Sequence, residues 1–201
     1  MPNDIKTNIY THPAHLPDDV AATVVAIGNF DGVHKGHQAI LKRAKEKAEQ
    51  LDAPLVALTF DPHPREVFTP ENAPLRLTPL HEKARLLARY GVDVVYVIPF
   101  SRTYAQTTAA SFIGDTLKTA LKAKHVVVGE DFAFGRNREG DVAVLKAAGQ
   151  EYDFAAEALP LKQQEGEVYS STAIRAAIKA GDMQKARQLL GHEIKLLGAQ
   201  K

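Results

Sequence analysis

Short runs of apolar, largely β-branched residues recur along the chain at 23–27, 55–60, 92–98 and 125–128, with little polar interruption. Apolarity that is continuous rather than alternating marks strands buried on both faces, the habit of a parallel sheet. Between the runs, residues 38–51, 79–90 and 107–121 repeat apolar positions every three and four residues and carry Lys, Arg and Glu opposite. That spacing predicts amphipathic crossover helices. Gly91 stands where a left-handed glycine ends a helix, and Thr78-Pro79 reads as a cap followed by a first-turn proline. A weaker run at 152–161 supplies a fifth strand, 163–166 a polar turn ahead of Val168, and 171–180 and 182–190 two short helices divided by Gly181. Residues 191–201 show no clear period, and neither an internal repeat nor a low-complexity stretch occurs. The pattern predicts an α/β fold, a Rossmann-like open parallel sheet of about five strands with helices on both faces.

A chain of 201 residues, 45% hydrophobic, suffices for one domain with a substantial core. The expected organisation is a domain over 1–191 and a tail over 192–201. A formal net charge of +1 gives no global pull toward nucleic acid or anionic membrane, so the expected partners are small molecules and any anion binding is local. The oligomeric state is not legible. Without cysteine there are no disulfides, thiolate nucleophiles or Cys-ligated zinc, and a reducing compartment, the cytoplasm, is the expected address. The first twelve residues are polar and lack the apolar centre of an export signal, and no stretch approaches ~18 continuous apolar residues.

In open α/β sheets ligands sit beyond the carboxyl ends of the strands, and chemistry-bearing blocks stand at those positions. After the first run comes Gly28-Asn29-Phe30-Asp31-Gly32-Val33-His34-Lys35-Gly36-His37. Its glycines permit a sharp turn and close backbone approach, and the helix that follows points unpaired N–H groups at an anion. The block is neither the dinucleotide fingerprint nor the P-loop. His34 and His37, three apart across a turn, can both donate to a phosphate. An isolated H-x-x-H pair more often caps a helix or traps a stray metal; placement after the first strand reverses that balance. Asp61-Pro62-His63-Pro64 ends the second run with a rigid proline rim, suited to a flat ring or simply a stiff surface turn, and nearby Phe68 is either core or a stacking face.

Gly129-Glu130-Asp131-Phe132-Ala133-Phe134-Gly135 follows the fourth run. Phe132 and Phe134 alternate, so one faces a ligand while its neighbour packs inside; Asp131 either accepts from a ribose or base or caps a turn. Late in the chain, Ser170-Ser171-Thr172-Ala173-Ile174-Arg175 places hydroxyls at a helix cap and an arginine one turn inside. Such hydroxyls are usually only caps, but Arg175 can reach back along the same face with a bidentate fork, complementing His34 and His37. His12, His15, His81, His125 and His192 lack zinc-ligand spacing and read as structural or surface residues, and the basic face of Lys42, Arg43, Lys45 and Lys47 is assigned no role.

Taken together, the four blocks resemble the bacterial FAD synthase family, the FMN adenylyltransferase module of the bifunctional riboflavin kinase/FAD synthetases, within the nucleotidylyltransferase superfamily. The likeness runs over 23–191. H-x-G-H alone marks the superfamily, whereas F-D-P-H-P and G-E-D-F-x-F-G narrow it to the flavin branch. The resemblance implies transfer of AMP from ATP to the phosphate of FMN, giving FAD and pyrophosphate, with Mg²⁺ accompanying ATP and no protein metal ligand assigned. It implies catalytic roles for His34, His37 and Arg175, the histidines on the ATP phosphates and Arg175 with Ser171 and Thr172 on the β- and γ-phosphates. Gly28, Asn29, Phe30, Asp31, Gly32, Gly36 and Asp131 fall on the nucleotide side, and Asp61, Pro62, His63, Pro64, Phe68 and Phe134 on the flavin pocket.

Two departures accompany the likeness. The usual family chain continues into a riboflavin kinase domain with a G-F-P-T-A-N motif that these 201 residues do not contain, so riboflavin phosphorylation is expected to come from elsewhere if they are the whole protein. Val168-Tyr169 stands where the family more often has a basic and an aliphatic residue. Two rival readings stay open: transfer to another small phosphate acceptor, such as pantetheine phosphate, nicotinamide mononucleotide or a polyol phosphate, and a non-catalytic flavin or nucleotide sensor.

Overall fold

A computed structural model of the chain describes residues 8–160, 163–164 and 167–193. Six strands form one open sheet: β1 Asn8–Thr11, β2 Thr23–Ile27, β3 Leu55–Asp61, β4 Val94–Pro99, β5 Ala123–Gly129 and β6 Ala155–Leu159. Their spatial order is β1-β4-β3-β2-β5-β6, and every pairing is parallel. The order reverses between β2 and β5, which opens a crevice at their carboxyl ends, the usual ligand position in such sheets.

Alternation along each strand feeds two cores. Val24 and Ala26, with Leu55, Ala57, Val95 and Val97, pack under α1 (Lys35–Leu51) through Leu41, Ala44 and Ala48. α3 (Leu80–Arg89) joins this layer through Ala84, Leu86 and Leu87. Val25, Ile27, Val56, Leu58, Tyr96 and Ile98 point the other way, toward Phe112, Ile113, Leu117, Leu145 and Phe154. Those residues belong to α4 (Ala109–Ser111), which runs on as a π-helix over Phe112–Ala120, to α5 (Val142–Tyr152), and to the turn into β6. Both sheet faces are thus covered, which is why the runs are apolar throughout. Two later helices, α6 (Ser171–Lys179) and α7 (Met183–Leu190), share a separate small cluster of Ile174, Ala177, Ala186, Leu189 and Leu190 closed by Leu77.

The sheet has six strands rather than about five: β1 lies in the polar N-terminal segment, pairs only with β4, and is mostly exposed, so it carries no buried run to read. The expected strand at 152–161 is shorter because α5 takes Tyr152, and Leu161 lies outside the described residues. Pro79 is itself the cap residue of α3; the Thr78 hydroxyl instead accepts from the Gly32 N–H at 3.0 Å. Gly91 does end its helix at φ 83°. The turn at 163–166 joins Gln163–Gln164 to Glu167–Val168 as a small antiparallel pair, with residues 165 and 166 outside the described set. Of the tail, 191–193 are described. No helix among the described residues is long and apolar enough to cross a membrane.

Between α5 and β6 the backbone turns so tightly that a Cβ at Gly149 would collide with the Phe154 carbonyl. Gly149→Ala is expected to lower the urea-unfolding free energy by about 1–3 kcal/mol through overpacking; an unchanged midpoint would show that this turn yields without cost.

Candidate active site

The loop after β2 is wound into left-handed backbone at Phe30 (φ 48°), Gly32 (φ 80°) and Val33 (φ 40°). For a β-branched residue this is a true outlier, and each strained non-glycine residue costs on the order of 1–3 kcal/mol. The strain is held by full burial of the Phe30 and Val33 side chains and by the Asp31 carboxylate between them. That carboxylate accepts from the backbone N–H groups of Leu77 (3.1 Å) and Thr78 (3.0 Å), from the Thr78 hydroxyl (3.3 Å) and from Arg175 Nη2 (2.5 Å). Arg175 Nε donates to the Leu75 carbonyl at 2.7 Å, which leaves Nη1 without a protein partner among the described residues. The Ser171 hydroxyl donates to the Asp31 carbonyl at 2.9 Å, and a Cβ at Gly36 would lie 3.0 Å from the Tyr169 carbonyl. These contacts seat the start of α6 directly against the loop that carries the histidines.

His34 caps α1, its Nδ1 accepting from the His37 backbone N–H at a long 3.4 Å. The two imidazoles stack with centroids 3.6 Å apart, and His37 meets the Phe30 ring edge at 5.2 Å. Burial pushes His34 down to about 4, with Asp31 opposing and the Arg175 charge adding to the shift. Burial, then His34 and Lys83, hold His37 well below its ordinary value; its Nδ1 is shut away without a partner. His63 caps α2 (Pro64–Phe68) through Nδ1, which accepts from the Arg65 N–H at 3.1 Å, and burial followed by Arg175 lowers it too. Neutral imidazoles whose Nδ1 accepts carry their proton on Nε2, so His34 and His63 each present a neutral N–H donor.

On the opposite rim, Asp61 pairs with Arg76 at 3.0 Å, and Arg76 also grips Glu66 at 2.8 Å. This clamp flanks the cis Asp61–Pro62 bond and α2, whose first residue is Pro64. Phe68 is 50% exposed and touches Phe100 edge-on at 5.7 Å; Phe100 in turn contacts Phe60 and Tyr104. Phe134 lies in the core against Phe112, while Phe132, stacked on it at 5.3 Å, is the more open of the pair. Asp131 is exposed and folds over Gly129; Thr172 is exposed as well. The Asn29 Oδ1 is buried without a partner. Asp31 and Phe30 face inward, and Gly32 is buried with its N–H on the Thr78 hydroxyl and its carbonyl on His192, so the nucleotide contact expected of Gly32 has no free backbone group behind it, whereas Gly28 is partly exposed. Lys83 and Phe100 escaped sequence reasoning. Lys83 had a legible signal, because it lies on the apolar stripe of α3 with Leu80, Leu86 and Leu87.

The sequence profile of the FAD synthetase family matches residues 16–173. The bifunctional riboflavin kinase/FMN adenylyltransferase of Escherichia coli K12 is 43% identical over 175 residues, 87% of this chain and 56% of that protein. The FAD synthetase of Listeria monocytogenes is 41% identical over 175 residues, covering 87% of this chain and 70% of that protein. The chain thus spans about half the length of the bifunctional curated relatives it matches. A solved structure titled macrolide-efflux protein, from Streptococcus pneumoniae, superposes with a TM-score of 0.80 at 31% identity over 92% of this chain and 60% of that one.

His34 falls from an ordinary 6.5 to about 4 on folding. A depressed imidazole stabilises the fold fully above its unfolded value, and that stability is lost as pH falls from 6.5 toward about 4, at most about 3 kcal/mol from this ring. His37 and His63 act in the same direction. Urea-unfolding free energy is therefore expected to drop between pH 7 and 4, and His34→Gln to flatten the drop; an unaltered slope would mean that His34 is protonated in the folded state.

Proposed function

This chain belongs to the FAD synthetase family, and from that membership we propose that it transfers AMP from ATP to the phosphate of FMN, forming FAD and releasing pyrophosphate. The observation that carries this reading is the junction of the Asp31 loop with α6, which brings His34, on which His37 stacks, within electrostatic reach of Arg175 from a distant part of the sequence. In the proposed complex the imidazole N–H groups and the open Nη1 of Arg175 hold the triphosphate, with Ser171 and Thr172 at the N-terminus of α6 and Asp131 toward the ribose or base. Gly28, Asn29 and Gly36 supply backbone approach. The flavin lies along Pro62, His63, Pro64 and Phe68, with Phe134 supporting Phe132 on the facing side. The transfer domain is proposed to span 1–191, with 192–201 as a tail; His192 bonds the Gly32 carbonyl at 2.8 Å and so extends the contact to the loop.

The nucleophile is an FMN phosphate oxygen, already charged about −1.5 to −2 near neutral pH, so the protein supplies no general base. As that oxygen bonds the α-phosphorus, the bond to the bridging oxygen breaks and its electron pair leaves with pyrophosphate. Charge grows on oxygens that the preset N–H groups already face, which stabilises the transition state without reorganisation. Neutral histidines suit this task, because they donate hydrogen bonds and never surrender a proton to the phosphates. Mg²⁺ would arrive with ATP, held by the phosphates that His34, His37 and Arg175 grip, and would supply neutralisation of the triphosphate charge.

His37→Ala is expected to lower kcat for FAD formation by about 10²–10³ while the protein stays folded, measured with FMN, ATP and Mg²⁺ by flavin chromatography and pyrophosphate release. Near-normal turnover by the variant would take His37 out of the reaction. Binding of both substrates by the wild-type chain with no pyrophosphate released would make it a sensor, and turnover only with another phosphate acceptor would replace FMN.

A further inference from the structure

Lys83, in the first turn of α3, is 5% exposed, yet the only hydrogen bond of its side chain among the described residues is from Nζ to the neutral Thr59 hydroxyl at 3.3 Å. Thr59 spends its own proton on the Asn29 carbonyl at 3.0 Å, so it can only accept from the lysine. The acids that face Lys83 are already committed: Asp31 to Arg175, and Asp61 and Glu66 to Arg76. An ammonium has three donors and no acceptor, and only one of the three has a partner among the described residues. A buried charge is ordinarily paired.

The lysine's position gives the missing partner. Thr59 lies two residues before the end of β3 and Asn29 follows β2, so Nζ sits beneath the carboxyl ends of the two strands whose loops carry His63 and His37. Both imidazoles feel its charge, His37 on the nucleotide side and His63 on the acceptor side. The surrounding groups are neutral donors, an unpaired Asn29 oxygen and carboxylates bonded to arginines; what is absent is an anion in direct contact with Nζ. We infer that Lys83 is a further phosphate-directed residue of the transfer site, with its ammonium reserved for a phosphate oxygen where the nucleotide and acceptor halves meet. This rests on the proposed adenylyl transfer for which phosphate it meets. In that reaction the attacking monoester and the α-phosphate converge there, and a shielded cation offsets their repulsion more strongly than one in water does.

The test uses the full chain with Lys83→Met and Lys83→Arg, sodium pyrophosphate as the binding probe, and thermal melting alongside turnover. Lys83→Met is expected to melt at or above the wild-type temperature, because an unpaired buried charge has been replaced by an apolar side chain. Its melting rise with saturating pyrophosphate should shrink by at least half, and FAD formation should fall about 10²-fold. Lys83→Arg should recover most of the pyrophosphate effect. A Lys83→Met protein that keeps the wild-type pyrophosphate shift overturns the proposal, as does failure of both variants to fold, which would make the lysine a structural prop. Because the melting shift needs no turnover, a wild-type chain that forms no FAD would overturn the adenylyl-transfer reading while leaving Lys83 to be judged by pyrophosphate alone.

Discussion

One buried carboxylate holds three remote pieces of chain in register. Asp31 takes its bonds from the segment ahead of α3 and from the guanidinium of α6, while its own carbonyl accepts from Ser171. Breaking a buried pair of this kind strands a charge, typically at 3–5 kcal/mol, which exceeds the cost of any one of the left-handed residues beside it. The strained backbone at Phe30 and Val33 persists because the Asp31 anchor and two buried side chains over-determine it. The strain in turn sets where α1 begins, and with it the stacking of His34 on His37.

The distribution of charge around that anchor follows one rule. Two of the acids at the carboxyl ends of the strands are neutralised internally, Asp31 by Arg175 and Asp61 by Arg76, while Asp131 beyond β5 stays exposed. Histidines are kept uncharged by burial, and for His34 and His63 a backbone N–H fixes which nitrogen keeps the proton. Between β2, β3 and α6 the net result is a surface that presents donors and ties its carboxylates to arginines. Such a surface favours phosphate over a bare cation.

Much of this was legible in the chain because the physics is local. β2 to β5 are read from unbroken apolarity, since each is covered on both faces. The four site blocks are read because each sits where a strand ends. What failed to show has equally plain causes. β1 is an edge strand whose stability comes from one neighbour, so Asn8 and Thr11 bear no core pattern. α5 was not anticipated because its alanine-rich face, with Leu145 and Gly149 buried, has little polar contrast. The choice between Phe132 and Phe134 depended on the Gly140 backbone folding over Phe134, a contact that no spacing encodes. Lys83 was taken with the polar residues of its helix by type, although its position places it among the leucines.

The two halves of the phosphate grip differ in how they are fastened. His34 and His37 stand on α1, which is sealed to the sheet by Leu41, Ala44 and Ala48. Arg175 stands on a helix pair whose apolar cluster is its own, joined to the remainder by Leu77 and by polar bonds such as Gln38 to the Leu190 carbonyl at 2.6 Å and Arg175 to Asp31. Local opening free energy follows buried apolar contact, so α6 and α7 separate from the sheet more readily than α1 does. A ligand held from both sides binds only the docked arrangement and stabilises it by mass action. Occupancy of the proposed phosphate site and seating of the last two helices are therefore one equilibrium, and Arg175, proposed to grip the ligand, is also the residue through which that ligand would tighten the fold.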